Sequence, residues 1–269
     1  MSEAERVTVT LKGGVADVRL NRPEKINALD LPMFEGLRSA AQRVAADPSV
    51  RAVVLSGEGR GFCAGLDLES ITSMRDGAGG TNRLAERAEA SIANLAQQAA
   101  YLWTVLEVPV IAAVHGVALG GGAQIALAAD LRIVGPDARI SVLEIRWGLV
   151  PDMTGTAVLP RLVGLDVAKE LTWTGRMVEG EEAVRIGLAT RTAADPRAEA
   201  LALATEIAGR NPHAVRAAKR LLEQSGRVPL AQQLLDESVE MGRLIGSPNQ
   251  TEAVQAWFEK REPVFSDPG

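Results

Sequence analysis

Apolar and polar residues alternate along the first twenty positions of the chain, on both sides of a pair of glycines. The apolar positions are Val7, Val9 and Leu11 before Gly13-Gly14, and Val15, Val18 and Leu20 after it. Alternation with a period of two predicts half-buried strands, and a glycine pair between two strands is typical of a tight turn. We therefore predict a β-hairpin over residues 7–20.

Patterns typical of strands and helices then alternate through the first half of the chain. Asp30 is predicted to cap the first of these helices, with Pro32 in its first turn. The predicted elements are a helix over 31–46, a strand over 50–56, a helix over 82–106, a strand over 108–114, a helix after the glycines at 120–122 and a strand over 131–134.

Beyond residue 151 the pattern becomes almost entirely helical. The amphipathic segments are residues 195–210, 212–224, 228–244 and 250–261. Because strands and helices alternate first and helices follow alone, the order of elements indicates an α/β protein with a helical C-terminal part.

The composition is that of a soluble globular protein, and it excludes several classes of function. The 269 residues, 46% hydrophobic and 23% charged, predict one large domain or a domain with an appendage. A net charge of −5 argues against a nucleic-acid partner, although a local basic patch could still bind an anionic small molecule. A single cysteine, Cys63, cannot form an internal disulfide, so we expect a reducing, cytoplasmic location.

One stretch without charged side chains, residues 108–129, is nominally long enough to cross a bilayer. It also contains Pro109, His115, Gln124 and three consecutive glycines, and it lacks basic flanks. We interpret it as a buried strand followed by a buried helix, and we expect no membrane partner.

Two glycine-rich turns are the candidates for chemistry: GRGFCAGLD at residues 59–67 and LGGGAQ at residues 119–124. Glycines between a strand and a helix expose backbone N–H groups, and the helix N-terminus adds partial positive charge. Such a turn can hold an anion or a developing oxyanion, but it can equally be a tight loop without a ligand.

Other kinds of site have little support in the sequence. There is no GxSxG or Walker motif, and GEGRGF lacks the third glycine of a dinucleotide fingerprint. With His115, His213 and one cysteine, we expect no metal site. His213 is predicted to lie on the surface in the first turn of a helix, and His115 to make a structural hydrogen bond.

Four segments together resemble the enoyl-CoA hydratase/isomerase, or crotonase, superfamily. They are NRPEKINAL at 21–29, GRGFCAGLDL at 59–68, AAVHGVALGGGAQIALAADLRI at 112–133 and FEKREPVF at 258–265. The resemblance extends over residues 7–265. It implies a crotonase-like (ClpP-like) spiral of ββα units over residues 1–195, which would carry the acyl-CoA site. Residues 196–269 would form a helical region that packs on this core and on neighbouring subunits, as a homotrimer or hexamer.

The resemblance also implies the substrate and its contacts. The substrate would be an acyl-CoA thioester, so that coenzyme A is part of the substrate and no separate cofactor is needed. The backbone N–H groups of Leu66 and Gly121 would form an oxyanion hole for the thioester oxygen. The substrate-binding positions would be Lys25, Ile26, Ala64, Asp67, Leu68, Gly120, Gln124 and Trp147. Trp147 and Trp173 have a simpler interpretation as packing residues.

The positions that would carry proton transfer depart from the family pattern. Family hydratases use two glutamates, of which the second matches Glu144, while Gln124 stands at the position of the first. An amide cannot transfer a proton near neutral pH. Gln124 would instead orient substrate or water, or simply bond to backbone.

Asp152, eight residues beyond Glu144, resembles an acid of the dienoyl-CoA isomerase branch, which also has an aspartate where this chain has Gln124. Its offset also matches the nucleophile of the aryl-CoA dehalogenase branch, which lacks the glutamate. Asp152 could instead cap the helix that follows it.

We therefore expect double-bond isomerisation, with Glu144 as base or acid and Asp152 as its counterpart. A hydratase with an altered acid/base set, a non-catalytic acyl-CoA-binding protein, and hydrolysis or dehalogenation through Asp152 stay open as alternatives. A glycine-rich loop at residues 73–80 is expected to shape the acyl pocket.

Overall fold

The structure, a computed structural model, describes residues 5–67, 86–87 and 91–268. Leu68 and the loop at 73–80 lie outside these residues. The strands are β1 (Val7–Lys12), β2 (Val15–Leu20), β3 (Ala52–Gly57), β4 (Val110–Val114), β5 (Val117–Leu119), β6 (Leu131–Val134), β7 (Arg139–Ser141), β8 (Val178–Glu179) and β9 (Arg191–Thr192). The helices are α1 (Leu31–Ala46), α2 (Leu95–Thr104), α3 (Gly121–Leu127), α4 (Gly155–Val163), α5 (Leu165–Thr174), α6 (Gly180–Arg185), α7 (Pro196–Ala208), α8 (Pro212–Glu223), α9 (Leu230–Leu244) and α10 (Pro248–Glu259).

The predicted hairpin forms the edge of the main sheet. β1 pairs antiparallel with β2, so that Val7 lies opposite Leu20 and Lys12 opposite Val15. The six strands follow the order β1-β2-β3-β4-β6-β9, and every pair after the hairpin is parallel. The hairpin prediction is confirmed, and the strand predicted over 131–134 matches β6.

A second, three-stranded sheet has the order β5-β7-β8. The sequence pattern did not predict these strands or β9, because each is two or three residues long and too short to show a period. Beyond residue 151, the expectation of helices alone was therefore incomplete.

Helices cover both faces of the main sheet. On β3, Val53 and Leu55 belong to the large core that also contains the fully buried Trp103 of α2. Ala52 and Val54 point to the opposite face and pack with alanines of α7. A parallel strand that is buried on both faces reads as a continuous apolar run, as this one does. α7, the first helix of the predicted C-terminal region, thus completes the packing of the sheet.

The helix boundaries follow local signals where these are strong. Asp30 caps α1 and accepts a hydrogen bond from Met33 N at 2.9 Å, and Pro32 lies in the first turn, as predicted. The helix predicted over 82–106 is wrong at its start within the described residues. There α2 begins only at Leu95, after a capping box between Asn94 and Gln97.

The C-terminal helices α7 to α10 match the predicted segments to within a few residues. α9 has no buried residue, and both it and its C-cap residue expose large apolar side chains. These are Leu230, Leu234, Leu235, Val239 and Met241 in the helix and Ile245 at the cap. The residues at 108–129 form β4, β5 and α3 rather than one long helix, and no helix in the described part of the chain is long and apolar enough to span a membrane.

We expect Gly122→Ala to lower the free energy of unfolding, because α3 packs directly on the Cys63 segment. A Cβ at residue 122 would lie 2.6 Å from the Cys63 carbonyl oxygen and 2.7 Å from Cys63 Cβ. Backbone would have to shift, at a cost of about 1–3 kcal/mol. Urea unfolding followed by circular dichroism measures this loss.

Gly242→Ala in α9 is the matched control, since its Cβ would meet nothing within 4 Å. The control should be neutral or gain up to about 1 kcal/mol, because alanine favours helix over glycine. Equal unfolding midpoints for the two variants would contradict the close contact.

Candidate active site

The first glycine turn joins the edge of the small sheet. Cys63 N donates a hydrogen bond to Val117 O at 3.0 Å, and Leu119 N donates to Cys63 O at 2.9 Å. On the other side of this segment, Leu29 N donates to Gly65 O and Asp67 N donates to Leu29 O. Because N–H groups alternate in direction along an extended chain, the N–H of Leu66 points away from Leu29.

The second glycine turn begins helix α3. Gly120 has φ 50° and ψ −121°, a conformation essentially restricted to glycine, and its N–H donates to Ser141 O at 2.8 Å. Gly121 is the first residue of α3, so its N–H has no acceptor within the helix. Neither Gly121 N nor Leu66 N has an acceptor among the described residues.

Glu144 lies beside this second turn. A Cβ placed on Gly120 would be 3.5 Å from Glu144 Oε1. The glutamate begins a short 3-10 turn, Glu144–Trp147, and is only 9% exposed. Oε1 accepts a hydrogen bond from Gln124 Nε2 at 2.6 Å, whereas the buried Oε2 has no partner in the described part of the chain. A buried acceptor without a protein partner has room for another one, such as a water molecule or a ligand.

Burial raises the pKa of Glu144, because a carboxylate loses hydration there. The hydrogen bonds from its own backbone N–H and from Gln124 oppose this shift and lower the pKa by less. The nearby negative charge of Asp152 adds a smaller increase. Asp152, the other predicted catalytic carboxyl, is therefore close enough to act on Glu144.

Gln124 is completely buried, and its amide makes three hydrogen bonds. Oε1 accepts from Met153 N at 2.8 Å and from Gly155 N at 2.9 Å, and Nε2 donates to Glu144. Since backbone N–H groups can only donate, they determine that the amide oxygen faces them. Gln124 is thus bonded to backbone, as one of the two sequence interpretations had it, and also to Glu144, which the sequence did not indicate.

The capping interpretation of Asp152 is wrong. Helix α4 begins at Gly155, its N-cap residue is Thr154, and no side chain makes a capping hydrogen bond. Asp152 is exposed as a whole residue, yet the surrounding protein partly desolvates its carboxyl and raises its pKa. A catalytic role for Asp152 stays a prediction.

Two of the predicted coenzyme A contacts lie side by side. Ala64 N donates to Ile26 O at 2.9 Å, while the Lys25 side chain next to Ile26 is exposed. Asp67 is buried and forms an ion pair with Arg22, Nη1 to Oδ2, at 2.5 Å. Contact of these residues with coenzyme A stays a prediction.

Asn27 links the segment around Ile26 to residues 58–62 through side-chain hydrogen bonds. This residue was not identified from the sequence. Its Nδ2 donates to Glu58 O, Gly61 O and Phe62 O at 2.9–3.1 Å, and its Oδ1 accepts from Arg22 N at 2.8 Å. Its φ is 55°. An asparagine within a loop is a signal for this conformation, because asparagine tolerates positive φ.

The predictions for the two tryptophans and the two histidines have different outcomes. Trp147 and Trp173 are 51% and 68% exposed, so the interpretation that they pack inside the chain is wrong. His115 Nε2 lies 2.9 Å from Gly59 O, in the predicted structural role, and His213 is exposed in the first turn of α8 as predicted. Among residues 5–67, 86–87 and 91–268, no three His, Cys, Asp or Glu side chains gather as metal ligands.

Comparisons with known proteins identify the family of the chain. The family model described as enoyl-CoA hydratase/isomerase matches residues 10–268. The chain is 37% identical to YngF of Bacillus subtilis, named as an enoyl-CoA hydratase/isomerase, over 93% of this chain and 94% of that one. It is 33% identical to the short-chain-enoyl-CoA hydratase of Clostridium acetobutylicum, over 97% of each.

Solved structures agree with this result. A structure from Streptomyces coelicolor, named as an enoyl-CoA hydratase, superposes with a TM-score of 0.89 at 35% identity, over 99% of this chain and 96% of that one. One from Mycobacterium abscessus, named as an enoyl-CoA hydratase/isomerase, gives 0.89 at 31% identity, over 97% and 100%. The fold is that of a crotonase-type enzyme. The chain belongs to the enoyl-CoA hydratase/isomerase family.

We expect Glu144→Gln to stabilise the protein increasingly as pH rises. Folding raises the pKa of Glu144 above its ordinary value of 4.5, so folding favours the protonated acid. That contribution is present below the ordinary value and is lost as pH rises through the folded-state pKa. The glutamine cannot ionise, and its amide oxygen can still accept from Gln124.

Urea denaturation at about pH 5 and about pH 8 measures the difference. The stability of the variant relative to the unaltered protein should increase between the two conditions. A difference that is the same at both pH values would contradict a raised pKa at Glu144.

Proposed function

We propose that the protein isomerises the double bond of an enoyl-CoA thioester through an enolate. The proposal is carried by a difference between two side chains. Glu144 has a buried oxygen without a partner among the described residues, whereas all three hydrogen bonds of the Gln124 amide are made to protein groups. By resemblance, family hydratases have the first of their two glutamates at residue 124. An isomerase only moves a proton along the acyl chain, so it tolerates the loss of that glutamate better.

The backbone donors would stabilise the charge that develops on the substrate. When a proton leaves the α-carbon, the electron pair moves onto the thioester oxygen. The N–H groups of Leu66 and Gly121 would donate to that oxygen, and losing one such donor typically costs about 3 kcal/mol of barrier. Both groups lack an acceptor in the described protein, which supports this assignment.

Glu144 would be the base that takes the α-proton. Its raised pKa suits a group that must both accept and release a proton, since proton transfer is most efficient when the pKa lies near the working pH. Glu144 or Asp152 would return a proton to the γ-carbon, so the product has the composition of the substrate. The raised pKa of Asp152 and its electrostatic influence on Glu144 support the pairing.

Hydration with Glu144 as the single acid/base is the second candidate. The names of relatives favour it, since several carry the word hydratase, including the (E)-benzylidenesuccinyl-CoA hydratase of Thauera aromatica at 32% identity. A water molecule would then add across the double bond.

We also infer that copies of the chain associate through the C-terminal helices, as a trimer or hexamer. The support is the set of large apolar side chains that α9 leaves exposed in the described chain. The acyl-CoA substrate would bind along the segments that contain Ile26 and Ala64, which lie together.

A panel of 2-enoyl-, 3-enoyl- and 3,5-dienoyl-CoA substrates in deuterated water tests the reaction. We expect deuterium at the α- and γ-carbons and a moved double bond, without a gain of mass from water. Glu144→Gln should slow this exchange about a hundredfold or more, because it removes the proton carrier. Unchanged exchange in that variant would refute the mechanism.

Within the same panel, Asp152→Asn should slow exchange, with Asp166→Asn in the first turn of α5 as its control. A hydrated product would favour the second candidate. Binding without exchange would favour a non-catalytic role, and a covalent adduct detected by intact mass would favour a nucleophilic Asp152.

Infrared spectroscopy tests the oxyanion hole separately from turnover. With a 13C-labelled thioester carbonyl bound to Glu144→Gln, we expect the C=O stretch at lower frequency than in water, because two fixed donors polarise the bond. Displacement by excess coenzyme A should restore the free frequency. A bound carbonyl with the free frequency would contradict donation by Leu66 and Gly121.

A further inference from the structure

We propose that Gln124 is a positioning residue for Glu144. It holds Oε1 of the glutamate, so that proton transfer falls to Oε2, the carboxyl oxygen without a partner among the described residues. This inference rests on the proposed function. It adds that the Gln124 amide acts on Glu144, so that residue 124 does more than lack the carboxyl of the family hydratases.

Backbone donors fix the orientation of the Gln124 amide. Met153 N and Gly155 N both donate to Gln124 Oε1, so this oxygen is held at two points. The Nε2 group must then face the other way, and there it meets Glu144 Oε1 at 2.6 Å. The direction of the donor is therefore set by backbone on the far side of the glutamine.

The turn that supplies the two backbone donors has an unusual backbone conformation. Thr154, between Met153 and Gly155, has φ 74° and ψ −9°. A β-branched residue rarely adopts the left-handed region, and such strain persists where the surroundings enforce it. Gly155 has no room for a side chain, since a Cβ would lie 2.7 Å from Gln124 Oε1. The turn is thus shaped closely around the amide oxygen.

The fixed Gln124 amide affects both the position and the pKa of Glu144. Gln124 engages Oε1, whereas Oε2 is the carboxyl oxygen that has no partner among the described residues. The hydrogen bond from Gln124 also favours the charged form and so lowers the pKa that burial raises. Gln124 would therefore control both the position of the base and the pH at which it is ionised.

A glutamate at residue 124 would behave differently. Its second oxygen would face Glu144 Oε1 at hydrogen-bond distance, and two carboxylates so close must share a proton. The charged group that already acts on Glu144 is Asp152, which raises its pKa. Glutamine supplies the same hydrogen bond to Glu144 without adding a further negative charge.

The test compares Gln124→Met, which keeps the shape and loses all three hydrogen bonds, with Gln124→Glu, which restores a hydrogen bond through a shared proton. For each variant, kcat and KM of α-proton exchange are measured against pH with an enoyl-CoA substrate. The pKa of Glu144 without substrate is measured by 13C NMR of side-chain-labelled glutamate, assigned by its absence in Glu144→Gln.

Asn249→Leu is the matched control. Asn249 is also a buried amide, 4% exposed, and its side chain also makes three hydrogen bonds, to Ser266 N, Ser266 O and the His213 ring. It lies in α10, away from Glu144 in the chain. Loss of its hydrogen bonds should lower stability without moving the pH profile.

We expect Gln124→Met to lower kcat about tenfold or more with little change in KM, and to raise the pKa of Glu144. Gln124→Glu should raise that pKa further, since the last proton of the pair leaves at higher pH. Between the two pKa values of the pair, where one proton is shared, the kcat of Gln124→Glu should exceed that of Gln124→Met. Asn249→Leu should match the unaltered protein in both readouts.

Unaltered kcat and an unaltered Glu144 pKa in Gln124→Met would overturn the proposal. If that variant does not fold, the Glu144 pKa in Gln124→Glu decides, and an unshifted value overturns the proposal. The result for Glu144→Gln distinguishes a failure of the proposed function from a failure of the positioning role. Exchange that survives in Glu144→Gln refutes the proposed function, whereas exchange lost there but normal in Gln124→Met refutes only the positioning role.

Discussion

The close approach of the Cys63 segment to the start of helix α3 is the constraint on which the site depends. Backbone hydrogen bonds between Cys63 and strand β5 hold the segment there, and the absence of a side chain at Gly122 leaves the space that it needs. A Cβ on Gly65 would lie 2.6 Å from Leu119 O and 3.8 Å from Gly120 Cα, so the residues that precede Leu66 and Gly121 lie close together. The oxyanion hole proposed for these two N–H groups depends on this approach.

The burial of the Glu144 carboxyl is energetically unfavourable. A buried carboxyl without a full set of hydrogen bonds is unfavourable when it is charged, which is why its pKa is raised. Gln124 offsets part of that cost and is itself held by a turn with strained backbone at Thr154. A group left incompletely satisfied in this way is characteristic of sites where stability and function compete.

Local signals in the sequence predicted a large part of the fold. The hairpin around Gly13-Gly14 and the capping of α1 by Asp30 both depend on residues a few positions apart, and both were predicted correctly. The short strands of the second sheet were not predicted, because only pairing with distant residues makes them strands. The start of α2 was missed for a related reason, since a periodic pattern alone does not locate a helix end.

In the candidate site, too, local features were predicted and long-range contacts were not. The glycine turns and Glu144 were found from motifs, because each is a local pattern. The hydrogen bonds of Gln124 join residues that are 20 to 31 positions apart, and the sequence contains no signal for them. Asp152 looked like a cap because it follows Pro151, but the chain turns at Thr154 before the helix begins.

A crystal structure of the Glu144→Gln variant with a bound enoyl-CoA tests the central claim most directly. The account predicts the thioester oxygen within about 3 Å of both Leu66 N and Gly121 N, as an oxyanion hole requires. It also predicts that Gln124 keeps its bonds to Met153 and Gly155 and holds no water against the β-carbon. A thioester oxygen bound elsewhere, or an ordered water between Gln124 and the β-carbon, would contradict it.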